Sequence, residues 1–207
     1  SAVAFLFGLF FLEESLKPGS ATAAHAWFDV QALRAALAVP SVTALLATSF
    51  VSLFAFANFE STLSLLLNDE SRFDYRYDQV LLVFAYVGLV LSLAQGLLVR
   101  RLSGRVNETT MAVAGTVVSA LGMLLLAWAS RRGDLASLLV ALTVEVGGFA
   151  CVSPSLNSLI SRRSDPARQG GILGVLQSTG SLARMTGPVA GNVLFARAAE
   201  LPFATAA

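Results

Sequence analysis

An all-α bundle of membrane-spanning helices is the fold this sequence predicts, and three observations predict it. The first is composition: 56% of the 207 residues are hydrophobic and only 13% charged, against roughly 25% charged in ordinary soluble domains. Mean hydropathy is +0.72. The second is the length of the apolar runs, each about 20 to 26 residues, which suits a helix crossing a hydrocarbon core of about 30 Å. The third is their continuity. Barrel strands would alternate polar and apolar over about ten residues, and only helices and closed barrels satisfy their backbone in lipid.

The runs fall in order along the chain. Residues 1–12 are almost wholly apolar but would span only about 18 Å as a helix, so they read as the end of a transmembrane helix. Residues 13–40 form a long polar connector with Pro18, Gly19 and Ser20, followed by an amphipathic stretch around Trp27 and Arg34. That stretch suits a helix lying along the interface, with a flexible linker as the competing reading. Residues 41–200 hold five full spans at 42–67, 80–99, 110–129, 135–160 and 171–196. Residues 201–207 open a last one. Both ends read as interruptions of a longer protein, without the basic leader of a signal peptide.

Orientation follows from the connectors. Lys17, Arg34, Arg100, Arg101, Arg105, Arg162, Arg163 and Arg168 fall on one side, and Arg72, Arg76, Arg131, Arg132 and Arg197 on the other. The first side is the expected cytoplasmic face of a multi-pass protein of the plasma (inner) membrane. No basic tract points to nucleic acid. The lone Cys151 and lone His25 offer no metal or disulfide chemistry, and no nucleophile elbow, phosphate loop or dinucleotide fingerprint is present. The chain is therefore expected to be no enzyme and to need no cofactor or metal.

Three ionisable residues, Glu60, Glu145 and Arg184, lie inside the spans, where each costs at least about 2.5 kcal/mol without a partner, a water-filled cavity or a proton to carry. Counting from the span ends puts Glu145 about 15 Å from the outer face and Arg184 about 20 Å from the inner one. Their consecutive, antiparallel spans then predict an ion pair, either a helix lock or part of a gate. Glu60 falls nearer the outer face, bracketed by Asn58 and Thr62. Phe56, Phe59, Glu60 and Leu63 follow the spacing of one helix face, which is either packing or an apolar wall for a ligand. Small residues recur at Gly88, Ser92 and Gly96, at Gly115, Ser119 and Gly122, and at Gly170, Gly174 and Ser178, spacings that let helix backbones approach in lipid. Gly147, Gly148, Pro154, Gly187 and Pro188 are candidate hinges.

The connector Gly96-Leu-Leu-Val-Arg100-Arg101-Leu-Ser-Gly104-Arg105 resembles the G-x-x-x-D/R-R-x-G-R loop of the major facilitator superfamily, with one extra residue before Gly104 and Arg100 at the usual aspartate position. Ser153-Pro154 through Arg162, then Asp165-Pro166 and Gln169-Gly170, looks like the tenth helix and following loop of drug:proton antiporters related to tetracycline efflux proteins. Gly180-x3-Arg184-x2-Gly187-Pro188-x2-Gly191 looks like their eleventh helix.

The resemblance implies the C-terminal six-helix half of that fold, with residues 13–40 as its central loop. It further implies a secondary transporter working by alternating access, which exports a hydrophobic or cationic small molecule against protons. A sugar or metabolite facilitator using Asn58, Gln95, Asn157 and Gln177 stays open, as does a non-transporting receptor or scaffold. The implied partners are a small-molecule substrate, protons, membrane lipid and the N-terminal half of the same protein. Glu60, Glu145, Arg184 and Asn58 are the candidate coupling residues, and the loop of Gly96, Arg100, Arg101, Gly104 and Arg105 is either a cytoplasmic latch, as the resemblance implies, or an anchor of topology alone.

Overall fold

The computed structural model describes residues 34, 37–164 and 169–207. The expectations for residues 1–12, for most of 13–40 and for Asp165, Pro166 and Arg168 lie outside the described residues. From Pro40 onward the described residues form, in order, α1 (Pro40–Asn68), α2 (Tyr77–Leu102), α3 (Glu108–Arg132), α4 (Leu135–Arg163), α5 (Gln169–Phe195) and the short α6 (Leu201–Ala206). No strand is present among the described residues.

The helices start and stop where local chemistry directs. Pro40 opens α1, where its missing N–H would be unsatisfied anyway. Asn107 caps α3 by accepting from the Thr109 N–H at 3.1 Å, and Asp134 caps α4 by accepting from the Ser137 N–H at 2.8 Å. Between those two helices the turn is only Gly133 and Asp134. Gly133 takes φ +69° and donates to Ala129 O, the left-handed C-terminal cap that glycine suits best. α3 and α4 thus form a tight antiparallel hairpin.

Four helices, α1 to α4, are long and apolar enough to cross a membrane. The sequence predicts five such spans. α5 has the length, with 27 residues, but Gln177, Ser178, Thr179, Ser181, Arg184, Thr186 and Asn192 dilute its hydropathy. A helix of that composition suits neighbours of protein or water better than lipid.

Packing divides the bundle unevenly. α3 lies against α4, and α5 lies against α1 rather than against its sequence neighbour α4. The main core joins Phe59, Leu63, Leu66 and Leu67 of α1 with Met123 and Leu126 of α3, Leu138 and Leu142 of α4, and Phe203 of α6. Tyr86 of α2 donates to Thr143 Oγ1 of α4 at 2.6 Å, since that hydroxyl itself donates to Leu139 O. α2 widens into a π-helical segment over Ala94–Val99 before its last turn, a local insertion that often marks functional stretches.

A cluster of charge that sequence spacing did not single out ties together the end of the bundle opposite Arg100. Arg72 Nη1 donates to Ser130 O at 2.5 Å. Glu200 receives Arg131 at 3.2 Å and Arg72 at 3.5 Å. The Glu200 carboxyl sits below its ordinary value of 4.5, held there first by its own backbone N–H and then by the two guanidiniums.

A depressed folded-state pKa contributes stability above the unfolded value and loses it as pH falls through the folded one. Glu200→Gln should therefore cost about 0.5–1 kcal/mol near neutral pH. The difference from the wild type should vanish in thermal unfolding as pH drops from about 6 to about 3.

Candidate functional site

Of the three embedded charges, one is buried and two are open. Glu145 is wholly inaccessible on α4. Its Oε2 accepts from the Ser119 hydroxyl of α3 at 2.5 Å, while Oε1 has no hydrogen-bond partner among the described residues. Gly122 and Gly148 create that seam. A Cβ at Gly122 would meet the backbone of Glu145, and one at Gly148 the backbone of Ser119 and Gly115, all at under 3.0 Å. The stripe Gly115, Ser119, Gly122 is thus a helix contact, as its spacing predicts.

Glu60 on α1 and Arg184 on α5 are exposed instead. Neither joins an ion pair among the described residues, and no pair links Arg184 to Glu145. The expected Glu145–Arg184 pair is corrected on two physical grounds. Although consecutive, α4 and α5 are not principal neighbours, because α5 packs on α1 and α4 on α3. The contacts also reset the depths.

Phe149 of α4 stacks on Phe56 of α1 with ring centroids 3.9 Å apart. Four residues onward along antiparallel helices, Glu145 and Glu60 come to the same level. Along α5, Gly187 lies against Phe54, Ala57 and Asn58, and Gly191 against Asn58 and Thr62, so α5 runs parallel to α1. Arg184 is then level with the turn near Phe54, six residues or about 9 Å from Glu60.

The aromatic face also resolves differently from its sequence pattern. Phe59 and Leu63 are buried and Phe56 half-buried, yet Glu60 is exposed at the edge of that stripe. The stacked pair Phe56 and Phe149 packs α1 on α4. Phe50 and Phe54 stack at 6.0 Å along α1.

Asn58 is buried, and its Nδ2 donates to Pro202 O at 3.3 Å, joining α1 to α6. Its Oδ1 has no hydrogen-bond partner among the described residues and lies hard against Gly191. The residue reads as a tie between helices.

Gly148 and Gly187 have a packing reason to be glycine, since their Cβ positions would meet backbone of the facing helix at under 3.0 Å. Gly147 meets nothing within 4 Å. Pro154 and Pro188 lie inside α4 and α5 without ending them. Gly96, Arg100, Arg101, Gly104 and Arg105 are all exposed. Gly104 takes φ +87° in the turn after α2, a conformation that accounts for the glycine of this loop. Near that end Glu108 receives Arg162 at 2.9 Å and the Ser158 hydroxyl at 3.0 Å, joining α3 to α4.

Helices of membrane length, with an acid buried between two of them, define a polytopic integral membrane protein. The family profile described as Major Facilitator Superfamily matches residues 1–188. The chain belongs to the major facilitator superfamily, whose members are transporters rather than enzymes.

It is 32% identical over 155 residues to the mouse (Mus musculus) Major facilitator superfamily domain-containing protein 10, covering 74% of this chain and 33% of that protein. The human (Homo sapiens) counterpart is also 32% identical, over 159 residues, with 75% and 33% covered. The Tetracycline resistance protein, class C, of Escherichia coli is 32% identical over 131 residues, with 63% and 32% covered. The chain thus spans about a third of the length of the curated relatives it matches. No solved structure matches it.

Proposed function

We propose that the full-length protein is a secondary active transporter of the plasma membrane, exporting a hydrophobic or cationic small molecule in exchange for protons by alternating access. One observation carries this reading. Glu60 is an exposed carboxylate without an ion pair among the described residues, set well inside a membrane-length apolar helix. Such a group cannot face lipid, so the side of α1 that bears it turns toward a water-filled cavity or another part of the protein. A carboxylate there attracts a cation or a proton.

Glu145, level with it but sealed between α3 and α4, has among the described residues an unpartnered Oε1 and Ser119 alone as side-chain partner, surroundings that suit a carried proton. Likeness to a tetracycline resistance protein favours an exported drug-like substrate. Residues 41–200 then act as the five full spans of the C-terminal half. Gly147, Pro154 and Pro188 remain its candidate hinges, and the turn from Gly96 to Arg105 its cytoplasmic latch.

The N-terminal half is the partner expected on the open side. Gly88 and Gly96 of α2, and Gly170 and Gly174 of α5, have nothing within 4 Å of a Cβ. These are two small-residue stripes free to receive other helices.

A facilitator of sugars or metabolites is the second reading, favoured by the exposure of Gln95, Asn157 and Gln177 on three helices. Flux measured in proteoliposomes of the full-length protein separates the two. An antiporter accumulates a cationic dye against its gradient when an outward-directed substrate path meets inward protons, and an uncoupler abolishes the accumulation. Uncoupler-insensitive equilibration of a sugar would refute the antiporter.

A further inference from the structure

A long apolar groove runs beside the arginine-rich turn, and its lining includes none of Glu60, Glu145 and Arg184. Its floor is α4 at Gly147 and Cys151, and its walls are Leu93 and Leu97 of α2 and Ala114 and Val118 of α3. α2 and α3 do not pack on one another along their length, so the groove lies open between them. It holds about 890 Å³, within the roughly 300–1,000 Å³ of small-molecule sites. From Val90 to Leu102 it follows twelve residues of α2, about 18 Å, against about 15 Å for one leaflet of hydrocarbon.

The polar end of the groove carries one sign of charge. A second cleft of about 430 Å³ is lined by Arg100, Arg101, Arg105 and Ser103, and it shares Leu97 and Arg101 with the groove. None of these three arginines has an acidic partner among the described residues, although Arg162 and Arg131 do find theirs. The π-helical segment Ala94–Val99 forms the wall where the two spaces meet and leaves Leu97 and Leu98 exposed.

We propose that this groove and cleft together bind one anionic phospholipid, with an acyl chain between α2 and α3 and its phosphate against Arg100, Arg101 and Arg105. Unpaired arginines at the membrane surface, continuous with an apolar channel as deep as one leaflet, complement that amphiphile in both charge and length. Basic pockets between membrane helices bind anionic headgroups by this physics. The site does not depend on the direction or substrate of transport.

The test uses the purified full-length protein, with native mass spectrometry reading retained lipid in dipalmitoyl phosphatidylglycerol or dipalmitoyl phosphatidylcholine. Phosphatidylglycerol should be retained in preference, and R100Q/R101Q/R105Q should lose that preference by about fivefold per charge removed. Gly147→Phe should expel the chain, because open space surrounds the Gly147 Cβ position. Ala114→Phe, on the facing wall, repeats the test should Gly147→Phe fail to insert. Arg197→Gln, at the other end of the bundle, should change nothing, and soluble glycerol phosphate should not compete. Equal retention of the two lipids overturns the site. So does a preference that survives the arginine variant or both filled-groove variants, as it would if the N-terminal half covered the groove, or displacement by glycerol phosphate, which would mark an anion site alone.

Discussion

If the full-length protein is the proposed antiporter, Glu60→Gln should reduce proton-driven flux of a cationic substrate to the passive leak, in both the driven and the exchange direction. Its side chain is exposed and an amide has nearly the same shape, so stability should move by no more than about 0.5 kcal/mol. Glu145→Gln should behave differently. The amide oxygen can still accept from Ser119, holding the cost near one hydrogen bond, about 1 kcal/mol. Driven accumulation should disappear while downhill exchange persists, because the substrate would meet Glu60 unchanged but no proton would be carried. Proteoliposome flux with and without a pH gradient reads both results, and driven accumulation undiminished in Glu145→Gln would assign that carboxyl to packing alone.

Gly148→Leu should prevent the bundle from assembling. Even a methyl group at Gly148 would press on the Ser119 and Gly115 backbones, which cannot swing aside as a side chain could. Gly148→Ala is therefore expected to cost roughly 1–3 kcal/mol or more, the range for overpacking a tight contact. Its neighbour supplies the control. Gly147→Ala has open space around it and exchanges a poor helix former for the best one, so it should be neutral or stabilising by up to about 1 kcal/mol. Thermal unfolding of the two variants in detergent compares them directly, and equal melting temperatures would contradict the close α3–α4 seam.

Much of the architecture was legible in the chain because lipid imposes length. Four of the five spans that composition predicts are helices of membrane length and hydropathy, and the loop from Gly96 to Arg105 marked the family. Depth and direction along a helix follow from residue counts, but rotation and neighbours do not. Counting put Glu145 and Arg184 at similar depths, and only the stacking of Phe56 on Phe149 and the fit of Gly187 against α1 showed them on different helix pairs at different levels. Three small-residue stripes looked alike in sequence. One is closed against α4 and two stand open, a distinction that depends on which helix lies opposite. Glu200 was unreadable for a related reason: its partners Arg72 and Arg131 are distant in sequence and meet only when the hairpin after α1 folds over the end of α3.

The two-residue turn at Gly133 and Asp134 bears on how such a chain enters the membrane at all. A helix carrying Glu145 would meet the hydrocarbon with a bare carboxyl if it inserted alone, at a cost of at least about 2.5 kcal/mol. Joined so closely to α3, it can enter as half of a preformed hairpin, with Ser119 already bonded to the acid and glycines already seated on the facing backbone. Biogenesis, and not only the finished fold, then depends on that short turn. Lengthening it with a flexible insert should lower the yield of inserted protein more than it lowers the stability of the molecules that do insert.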